Sequence, residues 1–90
     1  MSSAKDALIK VYFKDPQLPP GQNQREKYVN KYAPVSTVLE EAKTAFSLPS
    51  SMQIAFLFKG RKINPSKSLN EYGVGEDSVL MIIPDRIIGG

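Results

Sequence analysis

Only one stretch of this chain can bury a continuous helical face. Between Pro34 and Pro49, the residues Val35, Val38, Leu39, Ala42, Ala45 and Phe46 recur three and four positions apart. That spacing lines them up as one apolar stripe. Thr37, Glu40, Glu41, Lys43 and Thr44 fill the opposite side. Pro34 suits the first helical turn and Pro49 pushes Leu48 out of helical backbone, so the spacing predicts a helix over residues 34–47. The other apolar segments read as strands. Residues 7–13 place Ile9, Val11 and Phe13 on one face. Residues 25–32 alternate weakly and carry lysines, which suits a sheet edge. Residues 53–58 and 78–83 are apolar, and Lys59-Gly60 turns the former into a short strand at 61–63. Residues 69–72 can form one helical turn, ended by Gly73. The connection over 15–24 holds Pro16, Pro19, Pro20 and Gly21, which exclude regular structure there.

One sheet covered on one face by one helix is a two-layer α+β design. The stripe is expected to pack on Ile9, Val11, Phe13, Phe56, Phe58, Leu80 and Ile82, which makes Leu39, Ala42, Phe46, Phe56, Leu80 and Ile82 core residues. With 90 residues the chain holds one domain. The expected division is a flexible N-terminus at 1–6, a folded unit at 7–83 and a flexible tail at 84–90.

The absence of cysteine and histidine excludes a disulfide scaffold, thiolate zinc, a thiol nucleophile and the commonest general base. The nine acidic residues lack the spacing of a metal-binding loop, so no metal site is expected. An enzyme is disfavoured and no cofactor is expected. The net charge of +3 is spread along the chain without a concentrated basic face, so nucleic acid is not the expected partner. No apolar run approaches the roughly 18 residues of a membrane span. Residues 1–6 have no apolar core and do not read as a secretory signal.

The segments Phe58-Lys59-Gly60-Arg61-Lys62-Ile63, Leu69-Asn70-Glu71-Tyr72-Gly73-Val74 and Ser78-Val79-Leu80 resemble the second half of ubiquitin in order and spacing. Asp15-Pro16-Gln17-Leu18-Pro19, Val38-Leu39, Phe46-x-Leu48-Pro49, Ile63-Asn64-Pro65 and Ile82-Ile83-Pro84-Asp85-Arg86 resemble the ubiquitin-fold modifier family more narrowly. The likeness covers about residues 10–90. It implies a ubiquitin-like β-grasp, a mixed sheet of about five strands with one main helix packed on one face. Two positions depart from the family. Its single terminal glycine falls on Gly89, leaving Gly90 extra, and the lysine through which it builds chains falls on Gly75.

The resemblance implies a modifier joined through its C-terminal glycine to lysines of target proteins by ufmylation. Its partners would be an ATP-dependent activating enzyme that forms a thioester, a conjugating enzyme, a ligase, a processing protease and target lysines. It would be a monomer in the cytoplasm, with the nucleus and the cytosolic face of the endoplasmic reticulum as further settings. Gly89 and Gly90 are the expected conjugation site, because a residue without a side chain can thread a narrow channel. Pro84, Asp85, Arg86, Ile87 and Ile88 would be read as the tail. An ordinary frayed end is the other reading of these residues.

Alternation points Val79, Met81 and Ile83 outward if Leu80 and Ile82 point in, and Leu57 outward if Phe56 and Phe58 point in. Leu57, Met81 and Ile83 then form an apolar partner-binding patch, unless the tail or a second copy covers it. On the 25–32 edge, Tyr28, Val29 and Lys31 could accept a partner's extended peptide, or the edge is simply solvated. Tyr72 reads as structural, its hydroxyl bonded to nearby backbone. Glu40-Glu41 and Glu76-Asp77 read as solvated surface. Two other functions fit the same ending: a sulfur carrier whose terminal glycine becomes a thiocarboxylate, and a ubiquitin-like interaction domain that is never conjugated.

Overall fold

A computed structural model describes residues 7–85. The expectations for residues 1–6, and for Arg86, Ile87, Ile88, Gly89 and Gly90, lie outside the described residues. The elements run β1 (Leu8–Lys14), β2 (Gln24–Asn30), α1 (Val35–Ala45), β3 (Ile54–Phe58), β4 (Arg61–Lys62), one 3-10 turn (Leu69–Tyr72) and β5 (Ser78–Pro84). The strands form one five-stranded sheet in the order β2-β1-β5-β3-β4. β1 and β5 are parallel and the other neighbours antiparallel, so the sheet is mixed. This is the expected ubiquitin-like β-grasp.

Strand alternation sets the core. Ile9, Val11 and Phe13 of β1, Leu80 and Ile82 of β5, and Ile54, Phe56 and Phe58 of β3 are all buried, facing the helix residues Val35, Val38, Leu39 and Ala42. Phe13 and Phe56 stack with ring centroids 5.6 Å apart. Their strands are separated by β5, so the backbones lie about 10 Å apart and the rings lean together across it.

The helix is shorter than the 34–47 expected from spacing. Pro34 precedes the first turn as an extended residue and offers no side-chain cap. The orphan amides of that turn find backbone carbonyls instead: Val35 N–H donates to Lys67 at 2.8 Å and Ser36 N–H to Pro65 at 3.0 Å. At the other end Ser47 is left-handed, and Leu48 N–H reaches back to the Lys43 carbonyl at 2.8 Å, closing the last turn.

The 15–24 connection is held by its own hydrogen bonds. Asp15 is buried; its carboxylate accepts Gln17 N–H at 3.0 Å and its carbonyl accepts Leu18 N–H at 3.1 Å. Arg25 then lays its guanidinium 4.8 Å from the Phe46 ring centroid, tying β2 to the end of α1. At the β3–β4 hairpin Lys59 and Gly60 have φ of 54° and 79°. Two successive left-handed residues make the turn whose twist matches its strands.

The folded unit passes the expected boundary at residue 83. Pro84 closes β5 opposite Ile54, and Asp85 N–H donates to the Gln53 carbonyl at 2.9 Å. A proline tolerates this position because the bonds to β3 fall on alternate residues, Asp85 among them, so the Pro84 nitrogen faces the other side, where pairing with β1 has ended at Met81.

Leu80 is fully buried in the central strand. Leu80→Ala is expected to cost about 2–5 kcal/mol in denaturant unfolding, as a cavity beneath the helix. A loss below about 1 kcal/mol would place Leu80 outside the core.

Candidate interaction surface

The face of the sheet opposite α1 is built by the residues that alternate outward. Met81 of β5 lies opposite Lys14 of β1 on one side and Leu57 of β3 on the other, and Leu57 lies opposite Lys62 of β4. One row therefore crosses four strands with two apolar side chains at its centre and a lysine at each end. Val79 stands two residues from Met81, opposite Tyr12, and is 43% exposed. Ile83 stands two residues further on, opposite the small Ala55. The structure thus brings Leu57, Met81 and Ile83 together and adds Val79. Leu57, Phe58, Lys59, Gly60, Val79 and Met81 line an open groove of about 360 Å³ on this face. The patch is apolar at its centre, with Lys14 at one end and Lys62, paired with Asp85, at the other.

The family comparison turns this geometry into a lineage. Residues 20–83 match the model of the ubiquitin-2 like Rad60 SUMO-like family. The chain belongs to that ubiquitin-like family. Solved structures agree in fold. The ubiquitin-like domain of an Arabidopsis thaliana protein superposes with a TM-score of 0.70 at 21% identity, over 92% of this chain and 83% of that one. The ubiquitin of Caldiarchaeum subterraneum gives 0.71 at 21% identity, over 91% and 99%. The UBL domain of Plasmodium falciparum Dsk2 gives 0.71 at 19%, over 87% and 99%. No curated protein matches the chain in sequence.

Within this ubiquitin-like domain β2 is an edge strand, but its expected site needs correction. Val29 pairs with Ile9 and is 1% exposed, so it faces the core and reaches no partner. The parity of β2 was ambiguous because only this one side chain of the strand is buried. Lys31 lies beyond β2 with its backbone already engaged: its N–H donates to Ala7 at 2.9 Å and its carbonyl accepts Asn70 N–H at 2.9 Å. It cannot add a further strand's hydrogen bond there. Tyr28 alone of the three is exposed on the strand, opposite Lys10.

Two expected tail residues belong to the fold. Pro84 is the end of β5, and Asp85 is fixed on both sides, by Gln53 through its backbone and by Lys62 Nζ at 2.7 Å through its carboxylate. Tyr72 is structural as expected: half-buried against the core, its hydroxyl accepts Asn64 N–H at 2.7 Å.

Glu76 and Asp77 are exposed, as expected, and from the surface they also close on β1. Glu76 accepts Lys10 N–H at 3.1 Å, and Asp77 donates its N–H to the Lys10 carbonyl at 2.7 Å while its carboxylate meets Lys10 Nζ at 3.2 Å. The Asp77 hydrogen bond and charge hold the Lys10 ammonium above the ordinary lysine range. These contacts join residues 66 or more positions apart, which no local pattern reveals. Among the described residues no group of three or more His, Cys, Asp or Glu side chains could hold a metal ion, and no helix is long and apolar enough to cross a membrane.

Ser68 opens the 3-10 turn with a capping box. Glu71 accepts the Ser68 backbone N–H at 3.0 Å and its hydroxyl at 3.3 Å, which draws the Glu71 carboxyl below its ordinary value of 4.5. The folded group therefore gives up its proton more readily than the unfolded one. Its stabilisation is complete above about 4.5 and is lost as pH falls through the lower folded value. The drop in Tm caused by Glu71→Ala is expected near neutral pH and to shrink toward about pH 2. A drop that stays constant over that range would contradict the cap.

Proposed function

We propose that this ubiquitin-like protein is a modifier of the ubiquitin-fold modifier type, joined through the carboxyl group of Gly89 or Gly90 to lysines of target proteins. The observation that carries the reading is the position of the glycine pair beyond a fixed strand end. Asp85 is pinned by Gln53 and Lys62, and five residues, 86–90, follow it. Fully extended, they reach about 17 Å at most. An enzyme that grips the outer face therefore has the carboxylate within a bounded distance, with no side chain at the last two positions to obstruct a channel.

The chemistry lies in the partners. An activating enzyme binds ATP, and the glycine carboxylate attacks its α-phosphorus, releasing pyrophosphate and forming an acyl-adenylate. An enzyme thiolate attacks the acyl carbon, and AMP leaves. After transfer to a conjugating enzyme's thiol, a neutral target lysine amine, brought by a ligase, attacks the thioester. The thiolate leaves, the amine loses its proton, and an isopeptide bond remains. Each step needs the acyl carbon held about 3–3.5 Å from the attacking atom, which a crowded tail would prevent. A protease would expose the glycine if residues follow Gly90 in the gene.

A second reading has its own observation. The patch of Val79, Met81, Leu57 and Ile83 needs no tail to bind a partner, so a ubiquitin-like domain that is never conjugated would use the same face. Capture under denaturing conditions separates the two. The intact tagged chain is expected to carry larger covalent species, and a version lacking Gly89-Gly90 to carry none while losing less than about 0.5 kcal/mol of stability. Equal adducts from both versions, or none from either, would overturn the modifier reading.

A further inference from the structure

We propose that the cleft between the β3–β4 hairpin and the 3-10 turn binds an acidic peptide segment of a partner protein. This site is independent of the glycine tail. The cleft has a volume of about 480 Å³ and is lined by Phe58, Lys59, Arg61, Lys67, Glu71 and Tyr72. Three cations face one carboxylate there, and the carboxylate is already engaged. One Glu71 oxygen accepts both Ser68 donors, and the other stands 3.7 Å from Lys67 Nζ. Among the described residues neither Lys59 nor Arg61 has a carboxylate within 4.0 Å. Among the described residues, the cleft therefore holds positive charge that is left uncompensated.

The donors differ in kind, and together they suit carboxylates. Arg61 offers a planar fork for a bidentate pair, and Lys59 a point charge. The Tyr72 hydroxyl oxygen accepts Asn64 N–H, and its own proton has no acceptor among the described residues. That proton can go to a ligand oxygen. Lys59 is also placed at some cost. It occupies a left-handed position of the hairpin turn, where glycine or asparagine sits with less strain, and its ammonium lies 5.3 Å from the Phe58 ring centroid.

Charge complementarity selects the occupant. A nucleic acid would need more than three cations to hold its phosphates, and a free aromatic face on which to stack a base. Phe58 is buried and Tyr72 half-buried, so neither ring is free for stacking. A short run of Glu or Asp side chains meets the three cations and the phenol directly.

The test titrates the full chain with a hexaglutamate peptide while its backbone amide resonances are followed. Hexaglutamine, inorganic phosphate and a thymidine hexanucleotide serve as comparisons. Shifts are expected to concentrate at Lys59–Arg61 and Lys67–Tyr72 and to weaken with salt. Lys59→Asn combined with Arg61→Gln is expected to weaken binding about tenfold, whereas Lys27→Gln on β2 changes it less than about twofold. Asparagine is at home in the turn, so the variant keeps its fold, which its unshifted core amides verify. Four results would overturn the proposal: no binding at millimolar hexaglutamate, shifts spread equally over Lys14, Lys27 and Lys31, equal binding by the double variant, or binding of phosphate or the hexanucleotide at least as tight as that of hexaglutamate.

Discussion

The strand formed last in the chain lies in the middle of the sheet, and the rest of the architecture follows from that insertion. β5 takes β1 as its parallel neighbour and β3 as its antiparallel one, so neither of those strands can complete its hydrogen bonding until β5 arrives. The chain must cross from β2, at one edge, to β3 on the far side of β5, and α1 is that crossing. The helix therefore covers one face, its apolar stripe over Leu80 and Ile82. Phe13 and Phe56 meet above β5 from its two sides, which locks the outer pairs to the centre. Such long-range pairing must overcome loop-closure entropy, which slows folding relative to a fold of local contacts.

The loops around this centre are held by backbone as much as by side chains. The 64–68 segment supplies the carbonyls that complete the first turn of α1, and its own entry is fixed by Tyr72. The 3-10 turn is then joined to the residues after β2 through Asn70 and Lys31. A perturbation at Ser68 or Glu71 therefore reaches the helix and the edge strand, not the turn alone.

Much of this was legible in the sequence because burial imposes a period. The α1 stripe, the inward sides of β1, β3 and β5 and the outward Leu57, Met81 and Ile83 all follow from alternation on a half-buried element. Legibility failed where burial did not set the pattern. β2 buries only Val29, so its parity gives no signal and nothing in the sequence marks Val29 as inward. Pro34 stays extended outside the helix, and the carbonyls that cap the first turn, on Pro65 and Lys67, lie too far along the chain for a local pattern to show them. Glu76 and Asp77 are surface residues as read, but only the parallel pairing of β1 and β5 shows that Lys10 stands beside them. Pro84 suggested a strand end one residue early because the sequence does not show that Ile54 stands opposite it.

The molecule presents three separable features: an apolar row across the outer face, a cationic cleft beside the β3–β4 hairpin, and, in the sequence after the central strand, the pair Gly89-Gly90. The modifier reading depends on the last. Arg86 stands four residues before Gly90, so trypsin would cut there and leave Ile87-Ile88-Gly89-Gly90 on any lysine the chain has modified, or Ile87-Ile88-Gly89 if the reacting end is Gly89. The deciding measurement is a mass-spectrometric search for these remnants on lysines of proteins captured from the native source. The account predicts lysines bearing one of the two. Recovery of the tail peptide solely as a free carboxylate or thiocarboxylate, with neither remnant on any lysine, would contradict it.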